Sequence, residues 1–392
     1  MKVLNVNMSL DPIHGGGTVE RTFQLSRFLS RCGVSCSILT TDAGLTKKRI
    51  QELDGVSVTA LKTLCKRFYL PLFSVRKVRD VIKKADIIHL MNHRTLINIV
   101  VYLMAKHLNK PYVICPAGTL PIYGRSKGTK KIFDLIIGKK ILRSASGCIA
   151  ISSNEIDSFY SFGIEENKIY LFPNGVAPDD FQVSNGDEFR KRIGLGNAPY
   201  ILFMGRINSI KGPDLLLKAF CLIDCNRFSQ YHLVFAGPDG GMLSELKNIV
   251  SKSSIENRVH FIGYVSNGDK SSAYHEADLL VIPSRQEAMS LVVLEAGITK
   301  TPVLLTVQCG FNIIEQINGG KVVPATIEGL QDGLNELLGQ PEILKMMGER
   351  LYEHIYKEYI WENIVYKHLE LYNEILETNL SYPNSQCGRE FR

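Results

Sequence analysis

Short apolar segments alternate with amphipathic segments along most of this chain. In the first half, five apolar segments predict buried strands: KVLNVNM, SCSILTT, ADIIHLM, PYVICPA and GCIAIS. The segments between them have the apolar spacing of amphipathic helices, and one of them, VERTFQLSRFLSRCG, ends on Gly33, as a helix often does. Alternation of this kind predicts a doubly wound parallel sheet.

The same alternation returns in the second half of the chain. Its predicted strands are YILFMGR, YHLVFAG, VHFIGYV, DLLVIPS and TPVLLTV. The segment IYLFPNGVAPDDFQVSNGDEF, between the halves, is rich in Pro, Gly, Asn and Asp and predicts a linker. We therefore expect an α/β protein with two tandem Rossmann-like domains that face each other across a cleft, with ligands at the carboxyl ends of the strands.

These patterns also predict domain boundaries. An N-terminal domain is expected over residues 1–172 and a C-terminal domain over residues 198–360, joined by a linker region at 173–197. We expect a C-terminal helix at 361–378 to cross back to the N-terminal domain, and a frayed tail at 379–392. The length of 392 residues supports two domains, because it exceeds what one hydrophobic core usually covers.

Composition narrows the class of protein. A hydrophobic fraction of 45% and a charged fraction of 22% are typical of a globular domain. The longest apolar run, LINIVVYLMA, is too short to span a bilayer, and the N-terminus has no signal-peptide pattern. The nine cysteines have no regular framework, which favours reduced thiols. These features predict a cytoplasmic location.

Charge is distributed unequally between the two halves. Residues 1–172 contain 26 Lys and Arg against 12 Asp and Glu, whereas residues 173–392 contain 20 against 27. Two segments, 61–84 and 124–143, interleave basic and bulky apolar residues, which suits the anionic inner surface of a membrane. Ordinary amphipathic helices with solvated lysines explain them equally well. Nucleic acid is not an expected partner, because the basic residues are spread out and no reader motif is present.

Two glutamates in PSRQEAMSLVVLEAG are the first candidates for chemistry. Glu287 and Glu295 are eight residues apart, so on one continuous helix they would point about 80° apart. The segment before Glu287 reads as a loop, and the helix is expected to begin near Met289 or Ser290. Both carboxylates could then reach a ligand at the helix N-terminus, where the macrodipole attracts anions. Two solvated glutamates on a surface helix are the alternative.

Two further motifs follow predicted strands. In FMGRINSIKGPDLLLKAF, Arg206 follows a strand, and Lys211 precedes a helix that begins at Gly212-Pro213. A guanidinium and an ammonium beside a helix N-terminus can hold a diphosphate. In FAGPDGG, Gly237 lets a ligand approach the backbone closely.

Taken together and in order, these segments resemble the retaining, GT-B-fold glycosyltransferases of family 4. The resemblance comprises G-R-x5-K-G from Gly205 to Gly212, the E-x7-E pair, and the segments GGGTVERTFQLSRFLSRCG, KIYLFPNGV, YHEADLLVIPS and TPVLLTVQCG. It covers nearly the whole chain, and its specificity lies in the ordered set. The layout of PAGTLPIYGRSKGTKKIFDLIIGKK resembles a subgroup that builds bacterial surface polysaccharides such as lipopolysaccharide.

The resemblance implies a role for each matching residue in the second half. Arg206 and Lys211 would neutralise the donor diphosphate as it leaves, and Glu287 would accept hydrogen bonds from the donor sugar. Glu295 would bind the ribose hydroxyls. The remaining donor-binding positions would be Gly205, Gly237, Ala288, Met289, Ser290 and Leu291. The family is thought to use front-face attack. It usually shows no metal requirement, so the resemblance implies no metal and no cofactor, and the donor would be a UDP- or GDP-sugar.

The first half is expected to bind the acceptor. The loop Gly15, Gly16 and Gly17 follows the first strand and would face the cleft. His89 and His93 lie at a strand end; Leu90 stands where a metalloprotease helix needs Glu, so a structural or acceptor-binding role is favoured over a metal pair.

The chain departs from the family pattern at two positions. Many relatives have T-P-H-G, with a histidine that contacts the donor sugar, where this chain has CPAG, ending on Ala117 and Gly118. His89, His93 or Arg125 would have to supply that contact, and Gly118 would line the cleft. Val307 also stands where an aspartate is common.

The expected function is transfer of a hexose from a nucleotide-diphosphate sugar to a glycan or lipid-linked acceptor of lipopolysaccharide, O-antigen or capsule. Two alternatives remain open. A GT-B-fold sugar-nucleotide epimerase would change the donor without any acceptor, and a non-catalytic binding module would bind the donor without turnover. Base, sugar, linkage and oligomeric state are not indicated by the sequence.

Overall fold

The chain divides into two compact units. The computed structural model describes residues 1–65, 69–122, 126–182, 185–265 and 267–381. The first unit comprises Met1–Asn174 together with the C-terminal segment that begins at Trp361, and the second comprises Gly175–Ile360. Most of the segment predicted as a linker, 173–197, therefore belongs to the second unit, where it includes a helix at Gly186–Ile193.

The first unit is built on a parallel sheet of seven strands in the order β3-β2-β1-β6-β7-β8-β9, with a separate antiparallel hairpin, β4–β5. The strands are β1 Lys2–Val6, β2 Ser35–Thr41, β3 Ser57–Leu61, β4 Thr63–Cys65, β5 Leu70–Pro71, β6 Ile87–Met91, β7 Tyr112–Cys115, β8 Gly147–Ala150 and β9 Ile169–Leu171.

Helices connect the strands of the first unit. A π-helical turn, Asp134–Gly138, joins α5 to α6, and 3-10 turns lie at Ser153–Glu155 and Glu166–Lys168. The α-helices are α1 Gly17–Arg31, α2 Lys47–Gln51, α3 Val75–Lys84, α4 Leu96–His107, α5 Lys127–Phe133, α6 Lys139–Arg143, α7 Ile156–Ser161 and the C-terminal α17 Trp361–Ser381.

The second unit contains a parallel sheet of six strands in the order β12-β11-β10-β13-β14-β15. The strands are β10 Tyr200–Met204, β11 His232–Ala236, β12 Val259–Gly263, β13 Leu279–Ile282, β14 Val303–Thr306 and β15 Gly320–Val323. The helices are α8 Gly186–Ile193, α9 Pro213–Leu222, α10 Cys225–Phe228, α11 Leu243–Val250, α12 Asn267–His275, α13 Leu291–Ile298, α14 Ile313–Gln316, α15 Ile327–Leu338 and α16 Pro341–Glu358. This is the strand order of a doubly wound Rossmann sheet, so the predicted fold class is confirmed.

The central strands of both sheets are buried on both faces. In β6, β7, β8, β10, β13 and β14 every residue is buried, because helices cover both sides of a doubly wound sheet. These strands are the ones that the continuous apolar runs predict. Five observed strands have no predicted counterpart. Three of them, β3, β9 and β15, lie at the edge of a large sheet, where partial exposure removes the need for a continuous apolar run. The other two, β4 and β5, form the short antiparallel pair.

The last two described helices belong to different units, and the second of them, α17, is the helix predicted at 361–378. Helix α16 is part of the second unit, whereas α17 packs against α1 of the first, with the rings of Trp361 and Phe28 stacked at 6.3 Å. Helix α17 continues to Ser381, and the remainder of the predicted tail lies outside the described residues. Among the described helices, none is long and apolar enough to cross a membrane.

A fully buried guanidinium joins α1 to residues 172–174, the end of the first segment of the first unit. Arg21 on α1 donates from Nη1 to the carbonyl oxygen of Pro173 at 2.7 Å and to Oδ1 of Asn174 at 3.0 Å, and from Nη2 to the carbonyl oxygen of Phe172 at 3.0 Å. Its charge also lies 5.8 Å from the ring centre of Trp361. One side chain thus satisfies the backbone where the chain leaves the first unit.

We expect Arg21→Met to destabilise the first unit by roughly 3 kcal/mol, because the substitution leaves several buried acceptors without a donor. Urea denaturation followed by circular dichroism measures the change. Arg31→Met, on the exposed end of the same helix, is the control and should cost less than about 1 kcal/mol. An equal loss of unfolding free energy in the two variants would show that the buried contacts of Arg21 contribute little to stability.

Candidate active site

The candidate donor residues lie at the carboxyl edge of the second sheet, around the point where the strand order reverses. Neighbouring strands β10 and β13 flank that point, and the chain leaves them in opposite directions. Ligands of doubly wound sheets bind there. Gly205 follows β10 with φ 151°, and Gly237 follows β11 with φ 144°. A Cβ on Gly237 would lie 1.9 Å from the carbonyl oxygen of Gly205, so the two loops pack backbone against backbone.

Arg206 comes directly after this glycine contact. Its side chain is half-buried, and its stem passes over Gly240, where a Cβ would lie 2.8 Å from Arg206 Cγ. Glycine at 240 therefore makes room for the guanidinium stem beside the strand ends. The structure places Arg206 in the same group of loops as Gly205 and Gly237, as the sequence motif predicts.

Helix α9 begins in direct contact with the loop that follows β13. Gly212 has φ 67°, and a Cβ there would lie 2.1 Å from the carbonyl oxygen of Pro283. Pro213 then occupies the first turn of the helix, where its missing N–H costs nothing. Only glycine permits both this backbone conformation and this approach.

This contact brings Lys211 and Glu287 together across 76 residues of sequence. Lys211 Nζ lies 2.6 Å from Glu287 Oε1, which also accepts a hydrogen bond from Ser284 Oγ at 2.7 Å. The carboxylate is 7% exposed and the lysine side chain 33% exposed. The Glu287 backbone N–H donates to the carbonyl oxygen of Gln308 at 3.1 Å, which ties the loop to the end of β14. The result is a fixed, oriented ion pair at the sheet edge.

A second ion pair, which the sequence analysis missed, supports the first. Arg285 donates from Nη1 and Nη2 to the two carboxylate oxygens of Asp214 at 2.8 and 2.7 Å. Nη1 also donates to the carbonyl oxygen of Ser209, and the backbone N–H of Arg285 donates to that of Ile210. Burial alone would raise the pKa of Asp214, but the hydrogen bonds and charge of Arg285 outweigh burial and lower it. The bidentate fork therefore clamps the loop that carries Lys211.

Helix α13 begins at Leu291, with Ser290 as its N-terminal cap, one to two residues from the predicted start. Ser290 is buried, and its Oγ makes no hydrogen bond within the part of the chain that the structure describes. The predicted contact residues Ala288 and Met289 lie in the preceding loop. An unsatisfied hydroxyl at the positive end of a helix dipole is suited to an anionic ligand.

Glu295 lies inside α13 and is held by two side chains of α12. Its Oε1 receives a hydrogen bond from Lys270 Nζ at 2.5 Å, and its Oε2 receives one from the Tyr274 hydroxyl at 2.6 Å. Burial, together with the charge of Glu295, raises the pKa of Tyr274 well above its ordinary value. Neither partner is among the residues predicted from the sequence, although their spacing of four residues places them on one face of a helix.

In the first unit, the glycine loop precedes α1. A Cβ on Gly15 would lie 2.5 Å from the carbonyl oxygen of Asp11 and 2.2 Å from Val19, so the turn requires glycine. Gly16 caps α1 with φ 70° and open space around its Cα, and Gly17 is the first helical residue. The loop follows β1, at the carboxyl edge of the first sheet.

Of the two roles predicted for His89 and His93, structural or acceptor-binding, the structure supports the structural one. His89 is 1% exposed, its Nδ1 lies 2.6 Å from the hydroxyl of Tyr372 on α17, and burial lowers its pKa well below the ordinary value. His93 is fully buried, and its Nε2 lies 3.0 Å from Asp134 Oδ1. Both rings pack among aromatic side chains, as core histidines do.

The turn that departs from the family pattern is held by a buried carboxylate. Ala117 and Gly118 adopt positive φ values of 47° and 83°, and Glu155 accepts hydrogen bonds from the backbone N–H groups of Gly118 and Ile151. Burial raises the pKa of Glu155. The sequence analysis missed this glutamate. The other residue proposed to replace the histidine, Arg125, lies outside the described residues.

Comparison with known proteins decides the family. Residues 15–180 match the family described as Glycosyltransferase Family 4, and residues 185–354 match the family described as Glycosyl transferases group 1. The chain is a family 4 glycosyltransferase. It is 26% identical to an uncharacterised glycosyltransferase of Methanocaldococcus jannaschii, over 96% of this chain and 99% of that one.

Solved glycosyltransferase structures share its fold. HepE of Anabaena, solved in complex with UDP and glucose, superposes with a TM-score of 0.77 at 19% identity, over 97% of this chain and 100% of that one. WaaG, a glycosyltransferase involved in lipopolysaccharide biosynthesis, superposes with a TM-score of 0.69 at 18% identity, over 94% and 99% of the two chains. These likenesses confirm the GT-B fold of this family 4 glycosyltransferase.

The close contact at Gly212 gives a direct test of how this glycosyltransferase builds the site. We expect Gly212→Ala to destabilise the second unit by at least about 2 kcal/mol, because the new Cβ meets Pro283 and the left-handed backbone is unfavourable. Gly194→Ala is the matched control: its φ is 74°, but its Cβ would meet nothing within 4 Å. Thermal unfolding of both variants measures the difference in stability. If both variants lose the same stability, the contact between Gly212 and Pro283 does not require glycine.

Proposed function

We propose that this glycosyltransferase transfers a hexose, with retention of configuration, from a UDP- or GDP-sugar to a glycan or lipid-linked acceptor of a bacterial surface polysaccharide. The observation that carries the proposal is the oriented Lys211–Glu287 ion pair at the switch point of the second sheet, beside Arg206 and the start of α13. A cytoplasmic location follows from a donor of this kind, because nucleotide sugars are made inside the cell.

The charges around the ion pair suit a nucleotide diphosphate. Arg206 and Lys211 supply positive charge for the leaving diphosphate, and the α13 N-terminus with the unsatisfied Ser290 hydroxyl adds hydrogen-bond donors for its oxygens. Glu287 is oriented by Lys211 and Ser284, so it can accept hydrogen bonds from sugar hydroxyls. In this proposal the two cations supply the counter-charge and no metal is needed.

Glu295 is proposed to bind the ribose hydroxyls. Lys270 and Tyr274 each occupy one of its oxygens, and an ionised carboxylate has about four acceptor sites, so capacity for two further hydrogen bonds remains. The two donors also fix the orientation of the carboxylate. A fixed acceptor binds a diol with less loss of side-chain freedom than a mobile one.

Retention is proposed to occur without a protein nucleophile. Glu287 is paired with Lys211 at 2.6 Å, and a carboxylate held in this way is a poor nucleophile. In front-face attack, the bond from the anomeric carbon to the leaving phosphate oxygen breaks while the bond to the acceptor oxygen forms. The acceptor hydroxyl proton passes to the departing phosphate oxygen. The role of the protein is to position the reactants and stabilise the developing charge.

Nucleotide-sugar binding tests the donor half of the proposal. A thermal-shift panel of UDP-, GDP- and ADP-sugars should reveal a stabilising donor, and Arg206→Ala and Lys211→Ala should each weaken its binding about tenfold to a hundredfold, since each loses a charge-assisted contact. Arg192→Ala, which removes a half-exposed surface ion pair, is the control and should bind like wild type. The proposal fails if no nucleotide sugar binds at high micromolar concentration and Arg206→Ala behaves like wild type.

Product analysis separates the alternatives. Release of nucleotide with the sugar transferred to an acceptor or to water supports a transferase. An epimerised donor recovered without any acceptor would indicate the epimerase, and donor binding without any turnover would indicate a binding module.

The first unit is proposed to contact the anionic inner surface of the membrane. Ile132, Leu135 and Ile136 on α5 and the π-helical turn are 58%, 76% and 63% exposed. Lysines flank them at 127, 130, 131, 139 and 140, and the one acidic residue of this segment, Asp134, is turned inward. Exposed apolar side chains within a basic surface favour an anionic bilayer interface.

Co-sedimentation with phosphatidylglycerol vesicles tests this contact. The double variant Leu135→Ser, Ile136→Ser should lower vesicle binding at least about tenfold, because two large apolar side chains no longer insert. The matched control is Leu222→Ser, Met346→Ser in the second unit, where the side chains are 56% and 52% exposed. High salt should weaken wild-type binding. Equal binding by wild type and the first double variant would contradict the proposed contact.

A further inference from the structure

A cavity opens at the carboxyl edge of the first sheet, between the ends of β1 and β6. Its volume is about 420 Å³, within the range of small-molecule sites. Strands β1 and β6 are neighbours from which the chain leaves in opposite directions, so this is the switch point of the first sheet. The cavity is lined by Met8, Tyr69, Leu70, Arg94, Thr95, Leu96 and Ile97.

The described lining of this cavity is mostly apolar. Four of its side chains are aliphatic or thioether, and one is aromatic. Among the described lining residues, only Arg94 is charged, and Asp134 neutralises it: Nε lies 3.0 Å from Oδ1, and Nη2 lies 2.5 Å from Oδ2. The guanidinium also donates to the carbonyl oxygens of Thr119 and Leu120. Because all three nitrogens of Arg94 are engaged in this way, its side chain shapes the wall and is not available to a phosphate.

The apolar lining continues onto the outer face of α4. Leu96, at the cavity rim, is 46% exposed, and Leu103, two turns further along the same face, is 52% exposed. Ile99 and Val100 lie between them and are partly exposed. An exposed helix face without a charged residue over two turns is unusual, because outward faces of helices are normally polar.

The surroundings of this face are basic. Helix α3, which packs beside α4, exposes Arg76, Lys77, Arg79, Lys83 and Lys84 against one exposed acid, Asp80. On the other side, Asp134 connects the cavity wall to the exposed Leu135 and Ile136. The cavity and the α4 face are apolar, and the basic residues of α3, here called the basic rim, lie on the neighbouring helix. Together they complement a molecule with a hydrocarbon chain and a phosphate head.

We propose that this cavity and the adjoining α4 face bind the hydrocarbon chain of a lipid-linked acceptor, with the phosphate head near the basic rim. The inference rests on the proposed transferase function and narrows its acceptor to a lipid-linked one. The apolar lining would contact the hydrocarbon chain of the acceptor, and the basic residues outside the cavity would attract its phosphate head. A water-soluble sugar would leave most of this surface without a partner.

Chain-length dependence of binding tests the proposal directly. The probes are methyl, hexyl and octyl β-glucoside, used with the full-length protein below their micelle concentrations, and isothermal titration calorimetry measures their dissociation constants. Binding should tighten by roughly threefold to fourfold per methylene, so octyl glucoside should bind about tenfold more tightly than hexyl glucoside. Methyl glucoside should bind weakly or not at all. Equal affinities along the series would overturn the proposal.

Two matched variants distinguish the proposed site from general adhesion of the probe to exposed leucines. Leu96→Ser, at the rim, should weaken octyl glucoside binding about fivefold to tenfold, whereas Leu171→Ser on β9, 47% exposed and outside both the lining and the α4 face, should change it less than twofold. Both positions are half-exposed, so both variants should keep the wild-type unfolding temperature. Equal losses in both variants, or no loss at Leu96, would exclude the cavity.

Two further measurements distinguish the lipid site from the transferase proposal and from dimerisation through α4. Nucleotide-sugar binding by Leu96→Ser should equal that of wild type, so failure of the chain-length series alongside intact donor binding would refute the lipid site and leave the transferase standing. Light scattering after size-exclusion chromatography reports whether the α4 face joins two copies of the chain. A dimer that Leu103→Ser dissociates would show that a second copy, and not a lipid, covers this face.

Discussion

The contact of backbone on backbone between the start of α9 and the loop after β13 is the constraint on which the second-unit site depends. Gly212 and Pro283 approach so closely that no side chain fits between them, and the fork from Arg285 to Asp214 holds the same two segments a few residues away. The Lys211–Glu287 pair is a consequence of this junction. Without the junction, a lysine and a glutamate 76 residues apart would be two solvated surface charges of little energetic value.

In the first unit, buried charged side chains satisfy the polar backbone groups of the loops. A doubly wound parallel sheet sends its chain out through loops whose carbonyl and N–H groups must be satisfied away from the ladders. Arg21 satisfies carbonyl oxygens at 172–173, and Glu155 accepts the N–H groups of Gly118 and Ile151. Both side chains are almost fully buried. In each unit, charged side chains thus fix the shape of loops at the carboxyl edge of the sheet.

The sequence predicts much of the fold and part of the site. Continuous apolar runs predict the central strands, and the start of α13 is predicted to within two residues, because buried parallel strands and helix starts have local signatures. The edge strands β3, β9 and β15 lack that signature. Arg285, Lys270 and Glu155 were missed since sequence alone does not say which distant group a charge meets. For the same reason the sequence does not decide between a structural and an acceptor-binding role for His89: its partner, Tyr372, is 283 residues away on α17.

The CPAG turn, where the chain departs from the family pattern, has its conformation fixed by a buried carboxylate. A left-handed backbone at a residue other than glycine costs about 1–2 kcal/mol and persists only where the surroundings impose it. Ala117 keeps φ at 47°, and the buried carboxylate of Glu155 holds the next residue, Gly118, through its N–H. The conformation is therefore imposed by the fold of the first unit and does not depend on a histidine. The turn therefore presents an oriented backbone and the methyl group of Ala117 in place of an imidazole.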